Sequence, residues 1–319
     1  MLPGFDFPED GKTPPGFTKS SGHMVFDVKM DFTREARWVK DGHLSPDPID
    51  SNYAGVVSRE SVRIAFTYAA LNGLDISAGD ITFAYLQAPT SEKHYVICSS
   101  KFPLEYQRRV AVIKRALFGG KCAGADYWKH MRTYMSHLGF ESCKADPDLL
   151  MTRAVKTSDG TEYWKYVLLD VDDALCVSHR SKEVLEKKIG KYWIMKPNSV
   201  GPPKLYLGNK VSQVTLVNGV LAWSFSSSQY VQSAIASVER HLKNKNESLP
   251  KKASAPFSTN YRPEIDVSST LNPTEAAYYQ SLIGILRWIV ELGRVDITCE
   301  VSMMASMMVM PRIGHFLLI

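Results

Sequence analysis

Apolar positions along this 319-residue chain change their period several times, and each change marks an element. From Met24 to Val39 they alternate loosely with polar ones, as in a short strand pair, and the segment ends in the basic stretch Arg34 to Lys40. A Ser/Pro/Asp-rich loop covers 44–52. Ser58 to Leu71 has a helical period, with Ser58 as N-cap, Glu60 in the first turn and Asn72-Gly73 closing it. Leu74 to Ile81 reads as a buried strand, and Thr82 to Leu86 turns toward a helix that Pro89 stops. Residues 95–98 and 110–113 suit the strands of a hairpin, and an amphipathic helix over about 125–138 ends at Gly139.

Tyr163 to Val177 reads as a strand pair, and Ser181 to Tyr192 as a charged helix. Lys204 to Val211 and Leu216 to Trp223 form a hairpin around Asn218-Gly219. Ser228 to Leu242 is helical, 243–262 is a polar linker, and Thr274 to Met310 is a helix pair broken near Gly293. Strands and helices mix without strict βαβ alternation, which argues for an α+β fold. The Pro- and Gly-rich residues 1–22 read as a disordered tail.

The segment Tyr166 to Val177 carries the most chemistry. Four apolar residues precede Asp170-Val171-Asp172-Asp173, and four more follow. One continuous strand would bury these carboxylates, at several kcal/mol per ion. Two strands joined by a tight turn lift them to a solvated tip, close enough to repel and to favour a divalent cation. Alone, the segment reads equally well as an ordinary surface turn. Asp80, at the end of an apolar strand and before Phe83-Ala84-Tyr85, alone reads as a helix N-cap. Together they supply one carboxylate from one strand and a pair from a neighbouring hairpin. Two Mg²⁺ ions held that way can activate a hydroxyl and stabilise the leaving oxygen of an in-line phosphoryl transfer.

Composition adds limits. The chain is 45% hydrophobic and 22% charged, ordinary for a globular protein, and its net charge of +5 permits a nucleic-acid partner without requiring one. Five scattered cysteines show no C-x-x-C spacing, which argues against a disulfide framework or zinc ribbon and for a reducing compartment. No signal peptide opens the sequence, and no apolar run of about 18 residues suggests a membrane span.

The order of segments over roughly 24–316 resembles the reverse transcriptase of copia-type LTR retrotransposons. That family's D-x-x-x-A-(F/Y)-L strand is matched by Asp80-Ile81-Thr82-Phe83-Ala84-Tyr85-Leu86, and its Y-V-D-D hairpin by Asp170 to Asp173. Leu117 to Trp128 is similar to its glycine-turn segment, and Asp146-Pro147-Asp148 to its D-P signature. Tyr206-Leu207-Gly208 resembles its primer-grip strand, and Tyr278 to Trp288 with Gly293 to Ile297 its last helices.

The resemblance implies a right-hand polymerase fold. Fingers and a palm of antiparallel sheet plus helices would occupy 23–225. A helical thumb or connection region would occupy 226–319, ending before any ribonuclease H domain. It implies an RNA-directed DNA polymerase joining a deoxynucleoside triphosphate to a primer 3′-hydroxyl on an RNA or DNA template. Asp80, Asp172 and Asp173 would be catalytic and hold two Mg²⁺ ions, or Mn²⁺ in their place. Arg37, Lys40, Tyr85 and Lys121 would bind nucleotide, Tyr85 by excluding a ribose 2′-hydroxyl. Tyr206, Leu207 and Gly208 would form the primer grip. The setting would be cytoplasmic, with nuclear access and no membrane. Two departures stand out. Asp170 replaces the aromatic of Y-V-D-D, adding a negative charge expected to repel the primer phosphate, and Gly124 replaces a proline. They support an alternative: a decayed copy that keeps the fold and nucleic-acid binding only.

Overall fold

The computed structural model describes residues 4–28, 33–48, 51–250, 257 and 261–316. Part of the expected linker, 251–256 and 258–260, lies outside these residues. The chain divides into two compact units, Met1–Pro202 and Pro203–Ile319. The division expected after residue 225 therefore comes earlier, before the strands of 205–226.

The first unit is built on a five-stranded sheet. Its order is Asp75–Asp80, Asp173–Ser178, Glu162–Asp170, Leu149–Val155 and Glu141–Ser142, every pair antiparallel. The run Leu149–Val155 carried no clear alternation and was not expected as a strand. It forms because it pairs along Glu162–Leu168 and its first two residues are buried. The central strands are sequestered on both faces, and Val167, Leu168, Ala174, Leu175, Cys176 and Val177 are fully buried. Alternation disappears there for that reason. One face packs on the helix Ala123–His137 and on Val184, Leu185 and Ile189. The helix Arg59–Asn72 buries Val62, Ala65, Phe66 and Ala69 and contacts the strands Asp75–Asp80 and Asp173–Ser178. Its ends follow the expected chemistry. The Ser58 side chain accepts from the Ser61 N–H, and Gly73 takes the left-handed conformation at the C-cap.

A second sheet of the same unit corrects the expected tail. Phe5–Asp6 pairs with Val110–Ile113, and Thr18–Lys19 runs parallel to His94–Ile97. Phe5 makes edge contacts with Trp38 and Phe102, at 5.4 and 5.6 Å between ring centres. Such aromatic burial orders a segment whose Pro and Gly content suggested a coil. The strand pair Gly22–Val28 and Arg34–Lys40 forms as expected. It is anchored where Lys40 N–H donates to the Phe118 carbonyl. A side chain at Gly42 or Gly119 would collide with the opposing backbone there, so this crossing needs both glycines.

In the second unit, Asn209–Thr215 pairs with Leu221–Ser226, and Leu205–Tyr206 pairs back on Asn209 and Lys210. The single strand expected over 204–211 is thus folded at Leu207-Gly208. Helices follow at Ser228–Lys243, Pro273–Glu291 and Thr298–Ala305, with Tyr279, Ile283 and Met304 as a buried cluster. Among the described residues no helix is long and apolar enough to cross a membrane.

Candidate active site at the aspartate hairpin

Register in two adjoining ladders explains how the carboxylates meet. Leu169 faces Ala174 and Asp170 faces Asp173, so only Val171 and Asp172 form the turn. On the other side Asp173 faces Asp80 at the end of its strand. The backbone N–H of Ile81 donates to the Asp172 carbonyl at 2.7 Å, extending the ladder to the tip. A slip of one residue in either pairing would turn the acids to opposite faces. Asp80 therefore stands beside the Asp172-Asp173 turn, in register with it.

The turn itself is strained and held. Val171 has φ +52°, uncommon for a β-branched residue. The buried Tyr127 hydroxyl donates to the Val171 carbonyl at 2.7 Å and fastens the turn to the helix Ala123–His137.

Mutual repulsion acts on the acidities. Asp173 is pushed up to about 7, first by burial, then by the charges of Asp172, Asp80 and Asp170. Asp172 is exposed at the tip. Asp80 is met by Lys196, whose Nζ lies 3.1 Å from its Oδ2. That lysine arrives on a segment that runs along the edge of the Asp75–Asp80 strand. Lys196 N–H donates to the Asp80 carbonyl, and Ala78 and Gly201 exchange both backbone hydrogen bonds. Among the described residues no set of three or more His, Cys, Asp or Glu is gathered to hold a metal ion. The donor chemistry nevertheless fits one. Three carboxylates stand together, the charges of Asp172 and Asp80 opposing ionisation of Asp173, and a hard divalent cation is what such oxygen donors favour.

Asp80 and Asp172 line a cleft of about 680 Å³ whose other walls include Arg37, Phe83, Tyr85 and Phe118. Arg37 lies over the Phe118 ring at 5.2 Å and donates to Glu35 at 2.6 Å. Tyr85 packs on Phe118 and Tyr127, and burial followed by the Asp172 charge raises its pKa. Phe83, which the sequence offered only as part of a motif, is an exposed residue in the left-handed region, φ +48°.

Other expected positions fall elsewhere. Lys40 is 2% exposed, with Nζ 2.8 Å from Glu92, and does not line the cleft. Strand parity is the reason: three residues separate it from Arg37, so the two side chains leave opposite faces. Lys121 also misses the cleft, because its Nζ donates to the Ser45 carbonyl at 2.8 Å and pairs with Asp47 at 2.7 Å. Tyr206, Leu207 and Gly208 belong to the second unit. Tyr206 is buried, and Leu207 and Gly208 have φ of +48° and +84°, a two-residue hairpin turn with both centres left-handed.

Asp170 turns away from the cleft lining. Its Oδ2 lies 3.4 Å from Arg59 Nη1, an ion pair the sequence did not suggest. The Asp146-Pro147-Asp148 signature is a joint. Asp146 accepts from the Ser58 N–H, and Asp148 from the Trp128 indole and Arg132. Arg59, Tyr127 and Lys196 were all missed, since nothing local to any of them indicates a partner 44 to 116 positions away.

An antiparallel sheet brings three aspartates to one end, beside a cleft with an arginine and mutually packed aromatics, an arrangement able to serve phosphoryl transfer. The family model of the reverse transcriptases (RNA-dependent DNA polymerases) matches residues 14–247, well over half of the chain, which therefore belongs to that family. No curated protein matches it. Membership makes the chain a nucleotidyltransferase by family, whose general substrates are a primed nucleic-acid template and nucleotides.

Proposed function

We propose that this chain is the polymerase part of a copia-type reverse transcriptase, extending a primer 3′-hydroxyl with deoxynucleotides on an RNA or DNA template. The observation that carries the reading is the register that sets Asp173 against Asp80 and leaves Asp172 at the tip, so that Asp80 and Asp172 both line the cleft. Asp80, Asp172 and Asp173 would hold two Mg²⁺ ions, which when bound supply charge neutralisation and Lewis acidity to the transferring phosphoryl group.

The remaining chemistry belongs to the protein. Arg37 presents planar donors to triphosphate oxygens from a strand whose far face is fixed by the buried Lys40–Glu92 pair. Tyr85, wedged between Phe118 and Tyr127, fills the space where a ribose 2′-hydroxyl would sit. Lys196 holds the Asp80 carboxylate toward the cleft edge. We assign the sheet and its helices to the palm, the strand pairs before it to the fingers, and the second unit to thumb and connection. The five free cysteines suit a reducing, cytoplasmic setting.

The test is primer extension on an RNA template with Mg²⁺. Absence of extension when template–primer binding is saturated overturns the polymerase reading. The second reading, a decayed copy that binds without synthesis, draws on Asp170 and Gly124. It predicts salt-sensitive template–primer binding without extension, and restored synthesis when Asp170→Tyr and Gly124→Pro are combined.

A further inference from the structure

The sequence made Asp170 an intrusive charge beside the reaction centre; the structure gives that charge a partner from a distant element. Val57 N–H donates to the Leu169 carbonyl at 3.0 Å, which docks the segment before the helix Arg59–Asn72 onto the strand that ends in Asp170. Ser58 caps the helix, and its own N–H is held by Asp146 at 2.9 Å. Arg59 is therefore the first residue of an element fixed on both sides. Its side chain is 19% exposed and that of Asp170 16%, so solvent and salt screen the 3.4 Å pair less than a surface pair. Asp170 also lies near enough to Asp172 and Asp148 for their charges to oppose its own. Without the guanidinium, the tip would act on the cleft with one more negative charge.

We propose that Arg59 is a positioning residue of the aspartate turn: by neutralising Asp170 it lets the tip present the charge of its catalytic carboxylates alone to an anionic substrate. The inference rests on the polymerase reading. It has a signature that a packing role lacks, because an uncompensated carboxylate attracts divalent cations and repels polyanions.

The experiment compares the full chain with Arg59→Met, Asp170→Asn and the double variant. It reads Mn²⁺ affinity by electron paramagnetic resonance, template–primer Kd and KM for a deoxynucleoside triphosphate. Arg59→Met is expected to tighten Mn²⁺ by about three- to tenfold and to weaken template–primer and nucleotide by a similar factor. Asp170→Asn in that background should return all three to within about twofold of wild type. Should Arg59→Met fail to fold, Asp170→Asn alone must give the mirror image: weaker Mn²⁺ and tighter template–primer. Affinities that fall together, or that Asp170→Asn does not move, overturn the inference while leaving the polymerase reading intact. A wild-type chain that binds neither Mn²⁺ nor template–primer overturns both.

Discussion

The two walls of the cleft were built by different rules. On the acidic wall, register alone decides position: once Asp170 faces Asp173, the places of Asp172 and Asp80 follow from the ladder. On the basic wall, strand parity and loop contacts decide it. Arg37 faces the cleft, whereas Lys40, three positions later on the same strand, is buried against Glu92. Lys121 is spent on a loop carbonyl and Asp47. The three acids come together as their spacing suggested, whereas of the three cations only Arg37 lines the cleft, because only the acids sit where the element's period was already known.

The largest effect that can break this contrast is on the acidic wall. Asp172→Asn is expected to lower kcat for primer extension by on the order of 10³-fold, since a neutral amide is a poor ligand for the cations the reaction needs. Its melting temperature should not fall, because Asp172 is exposed and its removal relieves the repulsion on Asp173. Extension that persists within tenfold of wild type would move the chemistry off this hairpin.

The basic wall separates into two opposite phenotypes. Lys40→Met leaves the partly buried Glu92 without that cation and should destabilise the first unit by about 2–3 kcal/mol. Arg37→Met, on an exposed side chain, should leave the melting temperature unchanged and raise the nucleotide KM at least tenfold. If the lysine variant changed KM at full stability, parity would be the wrong account of this strand.

The acidic wall also carries a pH dependence of known sign. Asp173 titrates near 7 when folded and near 3.8 ordinarily, so between those values the folded chain holds a proton that the unfolded chain has lost. Stability from this group is fully present below about pH 4 and is lost as pH rises through about 7, on the order of 2–4 kcal/mol in all. Asp173→Asn should flatten that slope in denaturant titrations run from pH 5 to 8. Added Mg²⁺ should recover part of the loss at pH 8 in the wild type only.

How much of this could be read beforehand depended on range. Helix Arg59–Asn72 was legible to within a residue, because Ser58 and Gly73 are local signals that act on their own backbone. The hairpin turn was legible because four apolar residues on each side leave few registers. Strand Leu149–Val155 was not, since it is defined by pairing with Glu162–Leu168 and not by its own pattern. Residues 5–6 and 18–19 were read as coil for the same reason: their partners, Val110–Ile113 and His94–Ile97, lie far along the chain. Arg59, Tyr127 and Lys196 reach the hairpin and Asp80 from a helix start, a helix and an edge segment that lie 44 to 116 positions away, where local composition says nothing.

The smallest effect concerns what keeps the acidic wall in register. The hydroxyl of Tyr127 is the buried donor to Val171, whose left-handed backbone no glycine relieves. Tyr127→Phe keeps the ring contacts with Tyr85 and Trp193, at 5.6 and 5.3 Å, and removes only the hydrogen bond. The loss should be about 1 kcal/mol, or about 3 °C in melting temperature for a unit of this size. Because the same bond positions the turn, kcat should fall several-fold while the nucleotide KM stays within twofold. Equal losses in a variant that removes a comparable buried hydrogen bond away from the turn, such as Ser77→Ala, which breaks the 2.8 Å contact with Ser181, would show that general loosening and not the turn is being measured.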